Sequence, residues 1–317
     1  MSRLFIKLLP IAVGIVTSCW SGAALAQEQE QIQSVDTGAR PAVGTEVWAS
    51  TDSDGTDVLK IMARALWNFE GREKYAGIAI EHAWFNPAIG KMDEADRVYL
   101  DVADHLNSAW RWKARIGTDG DTMLGSAELR RADWSKSLFI EREIVETSQG
   151  LTRKIYFTFA GASTDITIDP LSTLALTAGV QEFSGENERL HLRGRYVHVI
   201  KAMAGLSGQL DVRYYHSTKP GEFDYFSPRD FLRLVPIAQI RKFDQHGWMY
   251  LAAGGIGVQH TTGSKWKPAR FAQLRLESPQ SAQGFDAFAE ALYSNDSFSG
   301  GPSYDYMMVR AGLTHRF

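Results

Sequence analysis

Charged side chains recur at every second position through much of this chain. Lys60 and Arg64 alternate with Leu59, Ile61, Ala63 and Ala65, and the row continues outward-facing through Trp67 and Phe69. Arg111, Lys113 and Arg115 alternate with Trp110, Trp112, Ala114 and Ile116; Arg189, His191, Arg193 and Arg195 alternate with Leu190, Leu192 and Tyr196. Arg233, Gln239 and Arg241 oppose Leu232, Leu234, Pro236, Ala238 and Ile240. Groups spaced in this way share one face of an extended chain, where opposite signs pair across neighbouring strands. A surplus of one sign around an aqueous interior favours permeants of the other sign. The richest such surface is a basic strip carrying Arg189, Arg193, Arg195, Arg213, Arg233 and Arg241, with Asp211 and Tyr215 among them and Arg275 and Glu277 further along the chain. That strip favours a neutral or anionic solute over a polycation.

Other chemistry is sparse. No G-x-S-x-G, H-E-x-x-H or P-loop pattern occurs. His191, His198, His216, His246, His260 and His315 are dispersed, none with a serine and an acid at a spacing that proposes a triad. The chain is therefore expected not to be an enzyme and to carry no cofactor. Asp52-Ser53-Asp54-Gly55-Thr56-Asp57 and Asp119-Gly120-Asp121 resemble short oxygen-rich calcium loops but lack a calcium-hand frame, and Asp-Gly is a preferred hairpin-turn pair. Turns, not metal sites, are expected there. Cys19 is the single cysteine, which excludes disulfide-stapled folds and cysteine-based metal centres.

The elements that would hold the charged rows are strands. Arg3 and Lys7, the apolar run Leu8–Val16 and Ala24-Leu25-Ala26 read as a signal peptide over 1–26. A competing lipoprotein site at Cys19 is disfavoured by Trp20 beside it. Residues 27–42 are polar and glutamine-rich, as expected of a disordered periplasmic tail. From 43 to 317 the pattern alternates in segments of the length a tilted membrane strand needs. Strands are predicted at 43–52, 57–69, 73–85, 97–104, 109–118, 122–132, 136–147, 154–168, 171–183, 187–200, 207–217, 231–243, 247–262, 267–278, 282–293 and 304–317. The fold class is all-β, a transmembrane antiparallel β-barrel of about 16 strands of outer-membrane type.

Three of the loops after odd strands are long, 86–96, 218–230 and 294–303, whereas turns after even strands are mostly tight, the asymmetry of such barrels. A mean hydropathy of −0.23 and 44% hydrophobic residues do not oppose this, because lumen residues dilute lipid-facing ones. A lipid-facing Arg or Lys costs about 2–4 kcal/mol at mid-bilayer, so the charged rows must face the lumen. The net charge of −3 points to no nucleic-acid partner. Trp67, Trp84, Trp110, Trp112 and Trp248 are placed for an interfacial belt. In the seventh strand Arg142 shares a side with Leu138, Ile140 and Ile144, which calls for a bulge or a strand end outside the hydrocarbon. The last strand puts Met307, Val309, Ala311, Leu313 and Phe317 on the lipid side and Arg310 and Arg316 inward, and must pair with 43–52.

Ile140-Glu141-Arg142-Glu143, Phe183-Ser184-Gly185-Glu186-Asn187-Glu188-Arg189, Phe223-Asp224-Tyr225-Phe226-Ser227-Pro228 and the strand ending in Phe317 occur in an order that resembles the C-terminal barrels of bacterial exopolysaccharide export porins, those for poly-N-acetylglucosamine and cellulose. The resemblance covers roughly residues 120–317. It implies a sixteen-stranded outer-membrane pore through which a growing glycan leaves the cell, with lipid and polysaccharide as partners. The tetratricopeptide region of that family has no counterpart here. Under the resemblance, a separate periplasmic scaffold or synthase complex would supply it. The alternatives to export are a small-solute porin or a structural protein of the outer membrane, and an outer-membrane lipid or glycan hydrolase. Residues 218–230 are the expected constriction of the path.

Overall fold

Strand follows strand from Arg40 onward, each antiparallel to the one before it. The computed structural model describes residues 38–53, 55–200, 205–279, 284–297 and 303–317. The expected signal peptide and most of the expected tail lie outside these. The strands are β1 (Arg40–Asp52), β2 (Asp57–Gly71), β3 (Lys74–Asn86), β4 (Asp93–His105), β5 (Trp110–Thr118), β6 (Met123–Arg131), β7 (Lys136–Ile144), β8 (Tyr156–Asp169), β9 (Ser172–Phe183), β10 (Glu188–Val199), β11 (Leu206–Ser217), β12 (Asp230–Phe243), β13 (Met249–Thr261), β14 (Lys267–Glu277), β15 (Phe285–Ser297) and β16 (Ser303–Arg316). A single-turn helix, α1 (Ser148–Thr152), lies between β7 and β8. The sheet closes on itself, and β1 pairs with β16 from Ala42↔Arg316 to Asp52↔Tyr306. Closure removes both edges, so every strand finds its hydrogen-bond partners without water.

The alternation decides which way each side chain points. Val43, Leu59, Ile61, Ile78, Ile80, Val98, Leu100, Ile116, Leu138, Leu190, Leu192, Val309 and Leu313 are exposed on the outer surface. Arg97, Asp101, Arg130, Asp211, Arg233, Glu290 and Arg316 are buried on the inner one. This is the inverse of a soluble barrel, and it is the arrangement hydrocarbon requires.

Four differences from the expected pattern have local causes. Strand β1 starts at Arg40, inside the segment assigned to the tail. A register shift between Leu66 and Asn68 turns Phe69 inward, beneath the Arg316 guanidinium, so it does not join the lipid face. No such shift interrupts β7. Arg142 lies near the strand's end, bonded to Thr158 Oγ1 at 2.9 Å and set over the Tyr156 ring, so its charge is partnered there. Finally, β3 and β4 reach to Asn86 and Asp93 and shorten the expected loop 86–96, while β7 stops at Ile144 and leaves a long connection over 145–155. The long connections 145–155 and 218–229 share one end of the barrel, which marks it as the extracellular end. The expected loop 294–303 is shortened by β15 and β16, and its centre lies outside the described residues.

The two aspartate-rich stretches are turns. Asp52 Oδ1 accepts from the Gly55 amide at 2.9 Å, and Asp119 Oδ1 from the Asp121 and Thr122 amides at 3.0 and 3.1 Å. Burial alone would raise the Asp119 carboxyl, but the Thr122 amide and the Tyr156 hydroxyl outweigh it and hold it below the usual range. Among the described residues no group of three or more His, Cys, Asp or Glu side chains is placed to hold a metal ion.

Candidate functional site in the barrel lumen

The inward rows form three tiers of ion pairs on the side of the barrel built by β1–β8 and β14–β16. In the outer tier, Lys60 Nζ meets Glu146 Oε1 at 2.6 Å and Glu143 Oε2 at 3.8 Å, and Arg97 bridges Glu81 and Glu143, each at 3.0 Å. In the middle tier, Arg115 Nη2 lies 2.8 Å from Asp101 Oδ2, Lys113 pairs with Glu128 at 2.9 Å, and Arg310 with Glu290 at 2.8 Å.

The inner tier crosses the mouth. Arg72, in the tight turn between β2 and β3, reaches over β1 and β16. Its Nε donates to Asp286 Oδ1 and Oδ2 at 2.7 and 2.8 Å, and its Nη1 to Glu277 Oε2 at 3.0 Å. The next residue, Glu73, reaches the other way and pairs with Arg130, with Arg111 Nε at 4.0 Å. The turn Arg72-Glu73 is thus a bar pinned at both ends. A bidentate guanidinium–carboxylate pair fixes geometry more firmly than a point contact.

Between bar and outer tier lies a chamber of about 700 Å³. Its wall carries basic and acidic side chains of similar number, interleaved with Trp48, Phe69, Tyr75, Tyr99, Trp134, Phe139, Phe288 and Tyr306. The connection 145–155 meets the chamber wall from the outer side, where Glu146 pairs with Lys60. Val145, Leu151 and Ile155 of that segment are buried, and the Glu146 side chain has no exposed surface. Burial raises the Glu146 carboxyl above its ordinary value despite the opposing pull of Lys60. A second loop holds this one down: Asp224 accepts from Thr147 Oγ1 at 2.6 Å and from the Gln149 amide at 2.7 Å.

The expected path residues fall into five places. Arg193, Arg195 and Arg213 converge on Asp211: Arg193 Nη2 lies 2.8 Å and Arg195 Nη2 3.1 Å from Oδ1, and Arg213 Nε 3.3 Å from Oδ2. Arg189 and Tyr215 stand at the outer end, where Arg189 donates to the Phe226 carbonyl and packs among Phe183, Tyr215 and Tyr225. Arg233 is 1% exposed and donates to the Arg270 carbonyl at 3.1 Å, and Arg241 packs over Phe243. Arg275 and Glu277 pair with each other and line the chamber. The strip faces inward, but most of it is packed wall rather than lining of this chamber. Loop 218–229 does fold in, stacking Tyr225 on Phe183 at 4.2 Å. The loop that reaches the chamber's charges is 145–155.

Sequence reasoning missed Arg72, Glu73, Arg97, Trp134 and Glu146. Arg97 was recoverable, since the alternation Arg97, Tyr99, Asp101, Ala103 is continuous. A charged pair where a two-residue hairpin normally takes Gly or Asn was the signal at Arg72-Glu73. Among the described residues a serine–histidine contact joins His198 Nδ1 to Ser172 Oγ at 2.9 Å, but Ser172 is 2% exposed and closed to a substrate.

An apolar outer surface, a closed sheet and an ion-paired interior admit one setting. The chain is an outer-membrane β-barrel. No protein-family model matches it, and no curated protein matches its sequence. Among solved structures it is similar to a bacterial polysaccharide outer membrane secretin, at 12% identity and a TM-score of 0.63 over 89% of this chain and 100% of that one. More distantly it matches the KdgM porin in complex with disordered oligogalacturonate (9% identity, TM-score 0.36, 86% and 99% covered) and Pseudomonas aeruginosa OprD (9%, 0.43, 89% and 97%). The likeness to the secretin supports the fold.

Proposed function

We propose that the barrel is a passive conduit for an exopolysaccharide leaving the cell, as the resemblance to the export porins implies. The observation that carries this reading is the chamber wall, where aromatic faces alternate with ion-paired donors and acceptors. A pyranose presents a C–H face that packs on an aromatic ring and hydroxyls that exchange hydrogen bonds with charged groups. A polymer of such units can move from one tier to the next without a deep energy well. The likeness to a polysaccharide secretin over that whole chain supports the same reading. Paired charges of both signs give little selection by charge, so a neutral or weakly anionic glycan suits the lumen.

A second reading, a small-solute porin, is favoured by the chamber's volume of about 700 Å³, since about 300–1,000 Å³ is the range of small-ligand pockets. Planar-bilayer recordings separate the two. Polysaccharide is expected to interrupt the current. Deletion that leaves surface glycan unchanged while small-solute uptake falls contradicts export.

A further inference from the structure

Trp134 sits where a bulky residue is disfavoured. In the turn between β6 and β7 its φ is +62°, a region that Gly or Asn enters readily and a large L side chain does not. The turn is otherwise well made, with the Trp134 amide donating to the Arg131 carbonyl at 3.0 Å and Asp133 Oδ1 accepting from the Ser135 amide at 3.0 Å. A chain reversal alone calls for no indole, and retained backbone strain points toward function. The ring lines the chamber at its inner mouth and is 39% exposed. The Arg130 guanidinium lies 3.5 Å from the ring centroid and is itself paired with Glu73, one half of the bar. An interfacial tryptophan would face lipid; this one stacks on a cation of the lumen wall.

Resting on the conduit reading, we propose that Trp134 is a sugar-stacking platform at the inner mouth, the first subsite a neutral pyranose ring meets on entering the chamber. The indole takes the ring's C–H face, and Glu73 and Arg111 take its hydroxyls. Arg130 fixes the plane of the indole and links its occupancy to the bar.

The test uses the full-length protein in planar bilayers, with a neutral linear gluco-oligosaccharide added on the inner side, and a thermal-unfolding midpoint for each variant. Trp134→Gly removes the ring and the strain together. It is expected to shorten current interruptions about fivefold, the scale of one aromatic contact, with a midpoint equal to or above wild type. Trp134→Phe is expected to hold interruptions near wild type, and Trp134→Leu to shorten them as glycine does. Unchanged interruptions in Trp134→Gly, or wild-type interruptions in Trp134→Leu, overturn the assignment while leaving the conduit reading intact. Wild-type pores that no oligosaccharide interrupts overturn both.

Discussion

Two sides of the same barrel obey one alternation and end differently. On β1–β8 and β14–β16 the inward side chains leave a chamber of about 700 Å³. On β10–β13 they close against one another. There, inward Gly255 and Gly257 let β12 lie close, because a Cβ would stand 2.3 Å from the Pro236 carbonyl oxygen and 1.9 Å from that of Leu234. Over these glycines Val235 and Ile237 reach Ala269 and Phe271, and the cluster ends at Leu292 and Tyr306 on the chamber wall. The arginine knot on Asp211 fills the adjoining surface. Facing the lumen is therefore a different property from lining a path. Residue size and cross-strand partners decide the second.

This contrast predicts stability effects on one side and conductance effects on the other. Largest is Gly257→Leu, which drives a side chain into β12 and is expected to abolish assembly, read as loss of heat-modifiable mobility on gels. Asp211→Asn leaves three clustered guanidiniums without their carboxylate. It is expected to destabilise the barrel by about 3–5 kcal/mol in denaturant titrations, with unchanged conductance in the pores that assemble. Arg72→Ala breaks the inner bar and is expected to raise single-channel conductance severalfold with little change in stability. Asp224→Ala frees the outer connection from its neighbour and should increase open-channel noise.

The smallest effect is on pH. Glu146 has a raised carboxyl only while the connection 145–155 is seated. The seated state binds its proton more tightly than the released one, so acidification favours closure and rising pH through the raised value favours release. Conductance is expected to fall as solution is made acidic, and Glu146→Gln to remove that dependence. A rise on acidification would reverse the sign of the outer latch.

Much of the fold was legible because hydrocarbon penalises charge. Inward Arg310 and Arg316 follow from alternation, and the closing pair of β1 with β16 from the need of a barrel to leave no edge. The turn-level devices were not legible. Phe69 turned inward on a single register shift, and nothing in Trp67-Asn68-Phe69 announces it. Val145 and Ile155 read as strand continuation and Leu151 as part of a short turn between strands, yet all three are buried in one long connection. Within the candidate site the faces of Arg193, Arg195 and Arg213 were readable. Their convergence on Asp211, away from the chamber lining, depends on contacts across strands that no single strand encodes. Arg72 and Asp286 lie far apart in sequence, and only closure brings them together.

The most direct test of the conduit account is single-channel current in the presence of neutral linear polysaccharide fractions of increasing length, added on the inner side. The account predicts interruptions whose duration grows with chain length, and more frequent ones in Arg72→Ala. A steady current at every chain length, in wild type and Arg72→Ala alike, contradicts it.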